Sequence, residues 1–260
     1  MSNTILSLHP IIGIVIVAIL VILIGLVGYL LGRWLIVRSP DTEDKSTAIN
    51  LQRSVSVLLG LILSISFAFT RSGIVKIETN MELEATQIRN IHANLGRFGS
   101  PKANRIKTKL LEYTQLAMDE EWQGLAQGRL NQMSWDLFSD IENSLLNLRP
   151  ANANQELLKE RMIIDMDEMI EYRTIRILAS RVRTPSAVPV VLVGFLISSF
   201  LLCVHPLRKS TLIFLSSYAA FIGIVVYFLI ALNHPFLGIK KVSPQPFQIV
   251  YRALSSETSR

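Results

Sequence analysis

The stretch SVSVLLGLILSISFAFT, residues 54–70, contains no Asp, Glu, Lys or Arg. Its 17 residues are slightly short for a hydrocarbon core of about 30 Å at about 1.5 Å per helical residue. Leu51 and the long side chain of Arg53 would complete the span, because an arginine can extend its charge to the interface. We therefore predict that this stretch crosses a membrane as a helix.

Three other stretches share this lack of charge and extend the pattern along the chain: residues 10–32, 184–207 and 210–239. The first is not expected to be a cleaved signal. Residues 2–9 carry no basic residue, and Arg33 and Trp34 close the apolar run as an interfacial pair. The sequence thus predicts an all-α membrane protein with four transmembrane helices, two on either side of an inserted helical extramembrane domain.

The predicted domains are an N-terminal transmembrane hairpin (1–70), a helical extramembrane domain (71–183), a C-terminal transmembrane hairpin (184–239) and a C-terminal tail (240–260). The middle domain is neutral, with 16 basic and 16 acidic residues, so the net charge of +6 belongs to the membrane flanks. Basic residues beside spans are explained by topology and anionic lipid, which argues against nucleic acid as a partner. Charge alone leaves the orientation open.

Apolar residues in the middle domain recur every three or four positions, which is typical of helices. The row beginning in the second span continues to Leu95, so one long helix should end near residues 96–99. Ser100 and Pro101 then predict an N-cap and the start of a helix to about Trp122. Further helices are expected at about 134–148 and 154–183.

Two charged residues interrupt these apolar rows: Glu84 on the helix that leaves the second span and Arg173 on the helix that returns to the third. Both lie roughly 15–20 Å from their span ends at 1.5 Å per residue, so they could meet as an ion pair that fixes the register of the two helices. The alternative is that each side chain extends to water. The carboxylates at 119–121 and 165–171 are expected on solvated faces.

No pattern in the sequence indicates catalysis or metal binding. There is one cysteine, Cys203, and three of the four histidines precede prolines at expected span ends. No nucleophile and base occur at a motif spacing, so we expect no enzyme, no cofactor and no metal site.

If the protein conducts ions, the second span is the best candidate to line a pore, because it alternates hydroxyls with apolar side chains. Its candidate lining residues are Gly60, Leu63, Ser64, Phe67 and Thr70; ordinary helix packing is the alternative for its serines.

Several local strings resemble the bestrophin-like domain family of bacterial membrane proteins. They are residues 61–71, the string EATQI at 84–88, LLEY at 110–113 and MIEYR at 169–173. The most specific is NHPFLG at 233–238, followed by VSPQP at 242–246. It is similar to a family pattern of Arg-Pro-Phe-Ser-Gly and Val-Ser-Pro-Glu-Pro, with His234 in place of the basic residue and Gln245 in place of the acidic one.

The resemblance implies a relative of the bestrophins, which are oligomeric anion channels, usually pentameric, with a pore lined by the second span and a cytoplasmic helical region. It therefore implies a multi-pass protein of the inner (plasma) membrane whose partners are the lipid bilayer, copies of itself and small anions such as chloride. The aspartate run of the animal bestrophin calcium clasp is missing, so calcium gating is not implied. The alternative hypothesis is a nonconducting membrane scaffold or sensor whose helical domain binds a partner.

Overall fold

In the computed structural model, residues 9–36, 42–180, 187–237 and 241–258 are described. Every regular element in these ranges is a helix. In chain order they are α1 (Pro10–Ile36), α2 (Thr42–Phe98), α3 (Pro101–Leu116), a π-helical turn (Ala117–Glu121), α4 (Trp122–Ala126), α5 (Gln132–Leu146), α6 (Ala153–Ser180), α7 (Ala187–Leu201) with a 3-10 turn (Leu202–Val204), α8 (Lys209–Leu232) and α9 (Gln245–Thr258). The all-α prediction is confirmed for this part of the chain.

Four of the described helices are long and apolar enough to cross a membrane. They cover Pro10–Leu35, Lys45–Phe98, Ala187–Val204 and Lys209–Leu232. Each overlaps one of the uncharged stretches found in the sequence. The second helix starts well before residue 54, at Thr42, because the residues ahead of the uncharged run include good helix formers such as Lys45, Leu51 and Gln52.

The chain divides into two compact units. The first comprises Met1–Gly73 and Arg183–Lys240, and the second comprises Ile74–Val182 and Lys241–Arg260. Helix α2 contributes residues to both. The predicted domain limits near residues 183 and 239 lie outside the described residues.

Within the first unit, α1 packs against both α7 and α8. Glycines make this approach possible. A Cβ on Gly32 would lie 2.5 Å from the carbonyl oxygen of Phe200, and one on Gly223 would lie 2.6 Å from the Cα of Ala18. Small residues at such crossings let two backbones approach closely, which is a main source of helix association in lipid.

Within the second unit, α6 runs back along α2. Near one end the amide of Gln155 donates to the carbonyl of Phe98 at 2.7 Å, and further along the amide of Gln87 donates to the carboxylate of Glu168 at 2.5 Å. The apolar row predicted on α2 lies inside this unit, with Ile88, Ile91 and Leu95 fully buried. The predicted end of α2 is confirmed: the helix stops at Phe98, and Gly99 has a φ of 67° that favours glycine.

The next helix begins as expected but ends early. The hydroxyl of Ser100 accepts a hydrogen bond from the backbone N–H of Ala103 at 3.1 Å, as an N-cap does. Helix α3 nevertheless stops at Leu116, because the backbone inserts the π-helical turn Ala117–Glu121 before α4 starts at Trp122. A single π-helical turn of 5 residues is too short to show a hydrophobic period, so the sequence pattern does not reveal it.

The segment expected to be a C-terminal tail, residues 240–260, contains helix α9 instead. Its Phe247, Val250 and Leu254 follow the helical three-four spacing and are buried. The helix packs against α3 and the π-helical turn. The sequence pattern alone does not predict this helix, because an amphipathic segment of 14 residues is stable only when a neighbour covers its apolar face.

We expect Gly32→Ala to lower the stability of the protein in detergent, because its new methyl group would overlap the backbone of the 3-10 turn region; the cost should be about 1–3 kcal/mol. Gly60→Ala is the matched control. A Cβ at Gly60 meets nothing within 4 Å, and alanine favours the helix. Thermal unfolding of the two variants measures the difference, and equal melting temperatures would contradict the packing described for α1.

Candidate functional site

The predicted pore-lining residues lie on α2 in the first unit, and three of them share one exposed face. Gly60, Ser64 and Phe67 are exposed, with Phe67 at 43%. At about 100° per residue these three positions fall within about 60° of one another around the helix. Of the four candidate spans, the one in α2 has the smallest buried share. The described protomer therefore leaves this face without a covering helix.

The other two predicted lining residues differ. Leu63 is only 8% exposed and belongs to the hydrophobic core of the first unit together with Leu59. Thr70 is partly buried. The structure thus buries Leu63 although it lies only about 40° from Phe67 around the helix, because the edge of the packed face of α2 passes between them.

Four of the five hydroxyls of the second span, those of Ser54, Ser64, Ser66 and Thr70, donate to carbonyls of their own helix. Ser64 donates to the carbonyl of Gly60 at 2.8 Å, and Thr70 donates to the carbonyl of Ser66 at 2.8 Å. Such bonds give the hydroxyl proton an acceptor, so the side chain can lie in an apolar environment. They also direct the oxygen lone pairs outward, so contact with an anion requires the hydroxyl to rotate away from the backbone.

A polar contact set that the sequence reasoning did not identify joins three spans of the first unit. Ser56 of α2 lies 3.3 Å from the hydroxyl of Ser198 on α7, and the phenol of Tyr218 on α8 donates to Ser56 at 3.4 Å. Gln52 adds an amide hydrogen bond to Ser56 at 3.1 Å. Hydrogen bonds of this kind hold helices together in lipid, so at least Ser56 serves packing.

In the second unit, two arginines and two glutamates are buried together. Arg176 contacts Glu84 through Nε and Nη2, each at 2.9 Å. Its Nη1 lies 2.8 Å from Glu121 in an ion pair without hydrogen-bond geometry, and Arg173 donates to Glu121 at 3.1 Å. All four side chains are at most 4% exposed. The set, which we call the buried charge cluster, has no net charge, and that balance is what makes burial of four ions tolerable.

The cluster corrects the predicted ion pair. Glu84 and Arg173 are both in it, but Glu84 pairs with Arg176 and Arg173 pairs with Glu121. Neither side chain extends to water. The expectation that the carboxylates at 119–121 are all solvated was wrong for Glu121, which the π-helical turn directs inward.

Aromatic and hydroxyl side chains surround the buried charge cluster. Tyr113 donates to Glu84 at 3.2 Å, and Ser134 donates to Glu121. The Arg173 guanidinium lies over the rings of Trp135 and Phe138, and that of Arg176 lies over Phe247 of α9. Cation–π contacts of desolvated arginines add to the ion pairs. The cluster therefore links α2, α3, the π-helical turn, α5, α6 and α9.

The ion pairs of the cluster favour the charged forms of Glu121 and Arg176. Burial acts to raise the pKa of Glu121, but Arg176, Arg173 and the Ser134 hydroxyl outweigh it and hold that pKa below the ordinary 4.5. Burial likewise acts to lower the pKa of Arg176, and Glu84 and Glu121 reverse the effect, so that its pKa is raised. Burial raises the pKa of Tyr113, so its hydroxyl stays protonated and can donate to Glu84.

His234, which stands in the most specific of the resembling strings, is buried just after α8. Burial lowers its pKa, so the imidazole is neutral near pH 7. The last residue of the string, Gly238, lies outside the described residues. At this position the chain thus carries an uncharged side chain where the pattern has a basic one.

The described residues contain no group of three or more His, Cys, Asp or Glu side chains that could hold a metal ion. In the buried charge cluster the ions are paired with one another and the hydroxyls donate to carboxylates, so the cluster offers no free nucleophile. Its role is structural: it holds the helices that contribute to it in one arrangement.

Comparison with protein families gives one match: the model described as "Bestrophin-like domain" covers residues 19–247 of the chain. This range includes α2, the exposed face of its span and every residue of the buried charge cluster. Neither the curated proteins nor the solved structures give a significant match.

We expect Glu84→Gln to destabilise the protein by about 3–5 kcal/mol, because it leaves Arg176 buried with one counter-ion instead of two. Lys109→Ala is the matched control, because it breaks an ion pair on the surface: the side chain of Lys109 is 34% exposed and that of its partner Asp140 is 53% exposed. This change should cost at most about 1 kcal/mol. Denaturant unfolding followed by helical circular dichroism compares them. Similar losses for both would contradict this structural role.

The lowered pKa of Glu121 predicts the sign of a pH effect. Its ion pairs contribute stability that is fully present above the unfolded pKa, which is close to 4.5, and that is lost as pH falls through the lower folded pKa. The wild-type protein should therefore lose stability steeply as pH falls below this value. Glu121→Gln should be less stable at pH 7 and show a shallower acid loss, measured by melting temperature against pH; parallel profiles would contradict this assignment.

Proposed function

The chain belongs to the Bestrophin-like domain family, and from this premise we propose that it is an oligomeric membrane channel that conducts small anions such as chloride. Each subunit contributes the span in α2 to the lining of a central pore. The four apolar helices and the family are those of a multi-pass membrane protein. We further propose two spans on either side of a cytoplasmic helical domain, in the inner (plasma) membrane.

The observation that carries the proposal is the uncovered face of α2 defined by Gly60, Ser64 and Phe67. Four spans are too few to enclose an aqueous pore, so conduction requires several copies around an axis. In a ring, the face that remains uncovered within each protomer is the one available to the axis. Gly60 leaves open space beside the helix, and a ring of Phe67 side chains would form an apolar collar that gates by dewetting.

Charge on the same helix supports an anion as the permeant species. Arg53 and Arg71 are exposed, and at about 100° per residue both fall on the same face as Gly60 and Phe67. They are 18 positions apart, or about 27 Å along the helix, close to the thickness of the hydrocarbon core. A cation at each mouth would raise the local concentration of anions and lower that of cations.

We expect Phe67→Ala to increase chloride flux in proteoliposomes, because it removes the proposed collar. Phe69→Ala is the matched control. Phe69 is an aromatic side chain on the same turn and is 74% exposed, but it lies on the opposite side of the helix, so its removal should leave flux near the wild-type level.

Arg71→Glu should lower the selectivity for chloride over potassium, measured as a reversal potential.

Three results would overturn the proposal: no flux in any variant, equal effects at Phe67 and Phe69, or a purified complex with the mass of a monomer or a two-fold dimer. Absence of flux together with stable capture of one partner by the helical domain would favour a nonconducting scaffold.

A further inference from the structure

One end of the second unit exposes four large apolar side chains. They are Leu130, Met133, Trp135 and Leu178, and they are 49–57% exposed. We call this set the apolar end patch. Single exposed apolar residues are ordinary on a protein surface, but a group of them at one place indicates a contact with a partner or a membrane.

The packing of α5 on α6 brings these residues to the same end. The ammonium group of Lys159 donates to the carbonyl of Leu146 at 2.8 Å, so the last residue of α5 lies beside the early part of α6. Arg173, near the end of α6, lies 5.1 Å from the ring of Trp135. The Cβ position of Gly128 is 4.0 Å from the carbonyl oxygen of Ser180, the last residue of α6. The two helices are thus antiparallel, and the loop before α5 lies at the end of α6 where Leu178 is exposed.

The composition of the segment that comprises α4, this loop and the first turn of α5 differs from the rest of the unit. Residues 122–135 contain no Asp or Glu and a single basic residue, Arg129, in a unit that otherwise alternates many charges of both signs. Tryptophan, methionine and leucine beside a lone cation favour the interface between lipid and water, where the ring and the alkyl groups are buried and the cation meets headgroup phosphates.

Chain connectivity limits how far this end can be from the bilayer. Ser180 ends α6, and the candidate span in α7 starts at Ala187. Seven positions reach at most about 25 Å even when fully extended. The end of α6 that carries Leu178 is therefore joined to this candidate span by a short stretch of chain, which allows it to contact the bilayer surface.

We propose that the apolar end patch inserts into the headgroup region of the membrane and anchors the helical domain to lipid. The partner is a lipid surface, with Arg129 directed at anionic headgroups and Met133, Leu130 and Trp135 among the upper acyl segments. This anchor depends on the membrane spans of the chain and is independent of whether the protein conducts ions.

The test uses the full chain reconstituted into bilayers of zwitterionic and anionic phospholipid. In a Cys203→Ala background, Met133→Cys and Leu146→Cys are each labelled with a nitroxide. Leu146 is the matched control because it is equally apolar, 50% exposed and on the same helix, at the opposite end. The label at 133 should collide more with oxygen than with a water-soluble nickel reagent, and the label at 146 should show the reverse order.

Three outcomes overturn the anchor: two labels that both behave as in water, two labels that both behave as in lipid, or a label at 133 that neither reagent reaches, which would indicate a protein partner.

A second measurement avoids replacing Cys203. In the Trp34→Phe, Trp122→Phe variant, Trp135 is the only tryptophan, since the chain has three. Lipids brominated close to the headgroup should quench its emission, and emission unchanged by these lipids would also overturn the anchor.

Discussion

The charge balance among Glu84, Glu121, Arg173 and Arg176 is the constraint on which the second unit depends. Each ion alone would be too costly to bury, because removal from water is not repaid by packing. Together they are neutral, and every guanidinium has a carboxylate within 3.1 Å. The cluster therefore permits only arrangements of its helices in which all four groups meet. Specificity, more than net stability, is what such a cluster contributes.

The two units use different interactions, and the apolar stretches of the candidate spans belong to the first. In the first unit the surroundings are apolar, burial of Leu or Val releases little free energy, and close backbone contact becomes important. Gly32 and Gly223 provide that contact on either side of α1. In the second unit Ile88, Leu95 and Met162 are buried by the ordinary hydrophobic effect, and the charge cluster selects the register. Helix α2 takes part in both.

The proposed function and the proposed lipid anchor concern surfaces that the protomer leaves uncovered. On α2 the uncovered face combines glycine, serine and phenylalanine between two arginines, which suits a pathway for anions shared among subunits. At the end of α6 the uncovered residues are large and apolar with a single cation nearby, which suits lipid. The chemistry of each surface thus indicates a different occupant.

The sequence by itself determined the helical class, the four apolar stretches and the end of α2 near Phe98, because hydrophobic periodicity and caps are local properties of the chain; for Glu84 and Arg173 it left burial and exposure to water as alternatives. It also carried the family, through strings such as those at 233–238 and 242–246. Tertiary structure decided which ions pair, since Arg173 and Arg176 are one helical turn apart and only packing selects between them. It also decided the inward turn of Glu121 at the π-helix, the docking of α9 through Phe247, and the separation of Leu63 from Phe67. These depend on contacts between residues far apart in the chain, which no local spacing records.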